Sequence, residues 1–277
     1  MSSRFATASA VLLALGACGG ADEAGMPTGD HVHSLGVTAD GGLLLGLHGG
    51  LYRSADGVVW DLAGLSGEDA MVVTTGAEGP VFVAGHEILY RSDDGGGTFS
   101  PLQPVDLPGL DIHGFAQTQT DGEVVYAFIV GHGLFVSRDA GETWEPRASV
   151  DSIPGDVFGI AAVGPGDETL VSVGPESGVL RSENGGRSFE RVFEVSSGAV
   201  AVDREAPDTV WALSGVGLAR SNDSGRTWEV ISSFDGVEGQ PVTLALGRGE
   251  LWIVTEQPRN LYRSDDAGMS WDRIAGT

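Results

Sequence analysis

All six histidines of the chain fall within its first 132 residues: His31, His33, His48, His86, His113 and His132. His31 and His33 form a His-x-His pair at the head of an apolar run, and alternate residues of a strand point to one side. Asp69 and Met71, and then Asp111 and His113, repeat that spacing ahead of later apolar runs. His48, His86 and His132 end other apolar runs, in Leu-His-Gly, Gly-His-Glu and Gly-His-Gly contexts. Imidazoles grouped with carboxylates and a thioether suit a transition metal, and a methionine tilts the choice toward copper. The candidate ligands are therefore His31, His33, His48, Met71, His86, His113 and His132, with copper or zinc as the ion. The same residue types also fit imidazoles that bond backbone carbonyls, a pH-sensitive patch, or a channel wall that takes a sugar or peptide.

Positioning these residues falls to a repeated phrase: an apolar residue, usually Arg-Ser, then x-Asp-x-Gly-x-Thr-Trp. Its serines are Ser54, Ser92, Ser137, Ser182, Ser221 and Ser264, spaced 38 to 45 residues apart. Two residues after each stands Asp56, Asp94, Asp139, Asn184, Asp223 or Asp266. The first copy is one residue shorter than the others. A fixed period of this length marks a repeat architecture. Each repeat carries apolar, β-branched runs of strand length bounded by Gly and Asp turns, and no stretch sustains a helical period. Four strands per repeat and six repeats predict an all-β, six-bladed β-propeller of four-stranded antiparallel blades, each with the Asp turn between its third and fourth strands. The blades are expected at about 31–64, 65–103, 104–149, 150–194, 195–234 and 235–277. Each is built from contiguous sequence, so ring closure falls to packing of the first blade on the last, unless the N-terminal segment lends a strand.

The aspartates are expected to be structural. A carboxylate at this position can accept N–H bonds from its own turn, the following glycine tolerates positive φ, and the aromatic packs beneath the hairpin. Five carboxylates and one amide, spread symmetrically on one rim, never converge, so they make neither one active site nor one calcium site. The repeats place every histidine on the opposite face, near the axis, on blades 1 to 3. In blades 4 to 6 the position aligned with His33 holds Phe158, Ala199 and Val242.

The chain opens with Arg4 and a short apolar core, Val11 to Leu15, too short to stay in a bilayer. Residues 1–17 are expected to be a signal peptide and 18–30 a flexible acidic tether. Leu15-Gly16-Ala17-Cys18 resembles a bacterial lipobox. That resemblance implies cleavage before Cys18, lipid on its thiol, and an exported protein anchored to the cell envelope, at the outer membrane or outer surface. Cys18 is the sole cysteine, so no internal disulfide can form. The net charge is −24 and all 15 basic residues are arginine, a balance that repels nucleic acid. A monomer with a protein or glycan partner is expected.

The repeated phrase closely resembles the Asp-box, or BNR repeat, of sialidases, sortilin-type receptors and photosystem II assembly factors. The stretches His31-Val-His33-Ser34-Leu35 and Leu47-His48-Gly-Gly-Leu51-Tyr52-Arg53 resemble a bacterial Asp-box family that carries a glycosyl hydrolase label; Ser34 stands where that family has glycine. Sialidase chemistry would need an arginine triad and an Arg-Ile-Pro stretch. Five arginines (Arg53, Arg91, Arg181, Arg220 and Arg263) immediately precede the Asp-box serine on outer strands, and Arg259 is the clearest basic residue on the site face. Asp69, Asp111 and Asp156 could supply a carboxylate pair for another glycosidase. The expected function is a non-enzymatic, envelope-anchored propeller that binds a ligand, partner or transition metal through its histidine face, with a glycoside hydrolase as the alternative.

Overall fold

The computed structural model describes residues 25–29, 31–76, 79–119 and 122–277. The expected signal peptide, Cys18 and the first part of the tether lie outside the described residues. The chain forms six four-stranded antiparallel sheets, each from consecutive strands, as the repeat predicts. The only helical piece among the described residues is the 3-10 turn Val150–Ser152. None of the described helices is long and apolar enough to cross a membrane.

Burial explains the order of strands within a blade. The second strands, such as Leu43–Leu47, Val81–Gly85 and Val125–Ile129, are buried on both faces and read as unbroken apolar runs. The fourth strands, such as Asp61–Leu62 and Ser100–Pro101, are exposed. The first strands of all six blades line an axial channel with a cavity of about 170 Å³.

Each Asp turn is held by its own side chains. Ser Oγ accepts the N–H of the turn glycine at 2.8–2.9 Å and donates to the Asp or Asn Oδ1. In blades 2, 3, 5 and 6 the following Thr or Ser gives both its N–H and its hydroxyl to the carboxylate. In blade 4, Asn184 Oδ1 accepts the Ser188 N–H while its Nδ2 donates to Ser188 Oγ. The turn glycine also docks the blade. A Cβ on Gly186 would stand 2.1 Å from Leu134 of the preceding blade, one on Gly225 2.5 Å from Val171, and one on Gly268 2.4 Å from Leu218. The ring closes by the same contact, because Gly57 of blade 1 would meet Leu261 of blade 6 at 2.7 Å.

Among the described residues no strand from the N-terminal segment completes the ring, yet residues 25–29 are attached to it. Met26 is buried in the seam among Val32, Leu35, Trp252 and Val254. Gly25 donates to Val58 O at 3.0 Å, and Arg259 reaches Pro27 O at 2.5 Å. Residues 25–29, expected to be part of a flexible tether, are thus packed on the ring.

The turn bonds favour ionised carboxylates. The Ser270 hydroxyl and N–H, with Ser264, pull Asp266 down to about 2. At Asp223 a burial penalty on the charge is outweighed by the Thr227 N–H and hydroxyl, and the carboxyl again falls to about 2. A depressed carboxylate stabilises the fold above its unfolded pKa of about 4 and loses that contribution as pH falls through its folded pKa. Unfolding free energy should therefore drop steeply between about pH 4 and pH 2. With Asp223→Asn and Asp266→Asn together, denaturant titrations across this range should show a lower neutral plateau and a shallower acid limb. An acid limb that keeps its slope would contradict the assignment.

Candidate metal centre

The sheet register shows how the site is made. In blade 1, Val32 pairs with Leu47 and Ser34 with Gly46, so His33 is an extra, unpaired residue in a bulge. In blade 3, Ile112 pairs with Ile129 and Gly114 with Phe128, which leaves His113 in the same position. A bulge re-aims a side chain at the end of a strand. His48 and His86 open the two-residue turns that join second and third strands, between Leu47 and Gly50 and between Gly85 and Ile88.

Asp69 comes to three of these imidazoles, His33, His48 and His86, from the segment that enters blade 2. Ala70 N–H bonds Leu47 O at 3.1 Å, and Ser34 Oγ bonds Ala70 O at 3.4 Å. Close backbone approach is possible because Gly85 has no side chain; a Cβ there would stand 1.8 Å from Asp69 O. Gly46 does the same service for Ala70 O, at 2.2 Å. In blade 3, Val130 N–H holds Asp111 O at 2.9 Å.

The result is a row of donors. Asp69 Oδ1 lies 3.3 Å from His33 Nε2; Asp69 Oδ2 lies 2.8 Å from His48 Nδ1 and 3.0 Å from His86 Nδ1. Beyond His86, its Nε2 lies 3.1 Å from His113 Nε2 and 3.6 Å from Asp111 Oδ1, and His113 Nε2 lies 3.3 Å from the same oxygen. His86 and His113 form a hydrogen bond, but the contacts of Asp69 and Asp111 with the imidazoles are short and out of line. Among the described residues His33 Nε2, both Asp69 carboxylate oxygens and Asp111 Oδ1 are buried atoms without a directed hydrogen bond. Two donors bound at 2.0–2.1 Å to one tetrahedral ion stand about 3.3 Å apart, so the spacing is that of ligands around a cation. In two triads, His33, His48 and Asp69, and His86, Asp111 and His113, one ligand atom from each residue lies within 4.8 Å of the others. Burial lowers the His33 pKa; Asp69 opposes this, and the neighbouring imidazoles reinforce it. The neutral ring, the form able to ligate a metal, is thereby favoured.

Three predicted ligands lie outside the triads. The bulge at His33 breaks the alternation that would have aimed His31 and His33 together, and His31, 76% exposed, turns to Glu256 of blade 6 at 3.5 Å. His132 is the last of three residues between Ile129 and Gly133, one longer than the turns of His48 and His86, and it is exposed. Met71 lines the channel, with its N–H on Asp69 O. Of the carboxylates considered for a glycosidase pair, Asp156 is spent on the N–H groups of Glu176 and Ser177. Asp69 and Asp111 face imidazoles. Arg259 of this face bonds Glu256 and Pro27.

Across the mouth the wall is apolar. Phe158 is 56% exposed, and the bulge residues of blades 5 and 6 are Gly198 and Val242, one position earlier in blade 5 than the repeat alignment places it. The far end of the channel holds Arg204, which sequence reasoning passed over. It spans from blade 5 to Val37 O at 2.8 Å and to Thr75 Oγ1, and burial lowers its pKa to about 10.

No protein-family model matches the chain. No curated protein matches it in sequence either. Solved structures match its fold. The GH74 xyloglucanase from Xanthomonas campestris aligns with a TM-score of 0.58 and 18% identity over 91% of this chain and 46% of that one. YCF48 from Cyanidioschyzon merolae gives 0.54 and 18% over 90% and 86%. The extracellular domain of BT4673 from B. thetaiotaomicron gives 0.59 and 15% over 90% and 37%. The chain spans less than half the length of the xyloglucanase and of the BT4673 domain. At these identities the likeness is one of fold.

Gly85→Ala tests the approach that sets Asp69. Its Cβ has backbone in its way, so it should cost about 1–3 kcal/mol of unfolding free energy. Gly198→Ala, on the same face with nothing within 4 Å of its Cβ, should stay within about 0.5 kcal/mol of the parent. Equal effects in denaturant titrations would contradict the packing described.

Proposed function

We propose that the protein is an exported, lipid-anchored propeller that binds a transition metal, zinc or copper, through the imidazoles and carboxylates of blades 1 to 3. The observation that carries this reading is the convergence of buried nitrogen and oxygen atoms that make no directed hydrogen bonds with one another. Buried polar atoms are nearly always satisfied. Bound metal would satisfy them. The donor set supports zinc or copper over calcium or magnesium, which prefer all-oxygen shells. Carboxylates that sit against imidazoles, or are spent on a turn, offer no free acid and base pair, which favours binding over glycoside hydrolysis.

A bound ion stabilises the folded chain by mass action, by about 2.7 kcal/mol at one hundred times its Kd. For a chain of this size that is a Tm rise of about 5–10 °C. Zinc or copper added to chelator-stripped, untagged protein should produce this rise, and chelator should reverse it. His33→Ala should weaken uptake at least about 10–100-fold, the penalty known for weaker, outer-shell changes. A parent protein whose Tm responds to neither metal would overturn the reading.

The anchor rests on Leu15-Gly16-Ala17-Cys18. In cells, Cys18→Ser should move the protein from the membrane fraction to the soluble fraction. Retention of that variant in the membrane would contradict lipid attachment at this thiol.

A further inference from the structure

The six converging donors are too extended for one ion. His33 Nε2 and His48 Nδ1 flank Asp69 on one side of His86, while His113 Nε2 and Asp111 Oδ1 lie on its other side. His86 itself faces both ways. Its Nδ1 is 3.0 Å from Asp69 Oδ2, and its Nε2 is 3.1 Å from His113 Nε2. The two nitrogens of one imidazole point away from each other and cannot reach the same ion. We propose that the face is a two-ion site, in which His33, His48 and Asp69 hold one divalent ion and His86, Asp111 and His113 hold the second. This rests on the metal-binding reading above and specifies its stoichiometry and wiring.

Each triad supplies two imidazoles and one carboxylate. Three protein donors leave a tetrahedral ion one position for water or a small exogenous donor, the pattern of open rather than closed sites. Those positions have access to solvent, since the His48, His86 and Asp111 side chains are 44%, 48% and 39% exposed at the channel mouth. The class of ligand that fits is a small oxygen or nitrogen donor able to reach both ions beside the apolar wall at Phe158. His86 links the halves: its Nε2 ligates the second ion, and its Nδ1 is turned to the carboxylate that ligates the first. The Asp69–His86 contact thus couples the two sites.

Stoichiometry tests the proposal. The full chain, purified without an affinity tag and stripped with chelator, is dialysed against Zn(II) or Cu(II), and bound metal is counted by mass spectrometry. Two equivalents per chain are expected, falling to one in His48→Ala and to one in His113→Ala, with the apo-protein circular dichroism unchanged. One equivalent in the parent, lost in either variant, overturns the two-ion site and leaves the metal-binding reading standing. No bound metal overturns both. Loss of both ions from a folded single variant contradicts the division into two triads. Should either variant fail to fold, electron paramagnetic resonance of the parent decides. The first Cu(II) equivalent should give a resolved spectrum that the second broadens by dipolar coupling. A spectrum that only doubles in intensity contradicts two adjacent ions.

Discussion

The structure depends on the contact between a turn glycine and the side of the preceding blade. The six sheets share no strand-pairing ladder, so the angle between blades is set largely by what fits there. The Ser and Asp side chains hold the backbone so that Gly186, Gly225, Gly268 and Gly57 each lie against a Leu or Val of the blade before. Any larger residue would push the blades apart. The repetition of one serine, one aspartate and one glycine thus sets a common spacing around the ring and joins blade 1 to blade 6 without an exchanged strand.

That spacing is what brings the candidate ligands together. His33 and His48 belong to blade 1, His86 to blade 2 and His113 to blade 3. Asp69 lies where blade 2 begins, bonded through its neighbour Ala70 to blade 1. The carboxylate therefore straddles an interface whose width the Asp turns control from the opposite face. Symmetry supplies the frame, and departures from it supply the chemistry: bulges at His33 and His113 point imidazoles into a space that Gly198 and Val242 leave bare in blades 5 and 6.

Much of this is legible in the chain. The period gives the fold, because six copies of one turn allow few other architectures. The face of each histidine follows from its place in the repeat. Three things are not legible, each for a physical reason. The bulges are register events, and a single sequence does not say which residue of a first strand goes unpaired; His31 and His33 therefore look like one pair and are not. The one-residue difference in turn length that separates His132 from His48 and His86 is written in the chain, but its effect on direction is not. The centrality of Asp69 comes from glycines 46 and 85, whose significance is the backbone they allow to pass, and nothing local announces that neighbour. Met26 and Arg204 act across long sequence separations, one in the ring seam and one across the channel floor.

The central claim is that imidazole and carboxylate from blades 1 to 3 ligate metal directly. X-ray absorption at the zinc or copper edge of the loaded protein tests this most directly. The predicted spectrum shows a shell of nitrogen and oxygen donors, multiple scattering from about two imidazoles per ion, and no sulfur, since Met71 lies outside both triads. An all-oxygen shell without imidazole scattering would place the ion elsewhere on the acidic surface and contradict the site; a sulfur shell would contradict the ligand set.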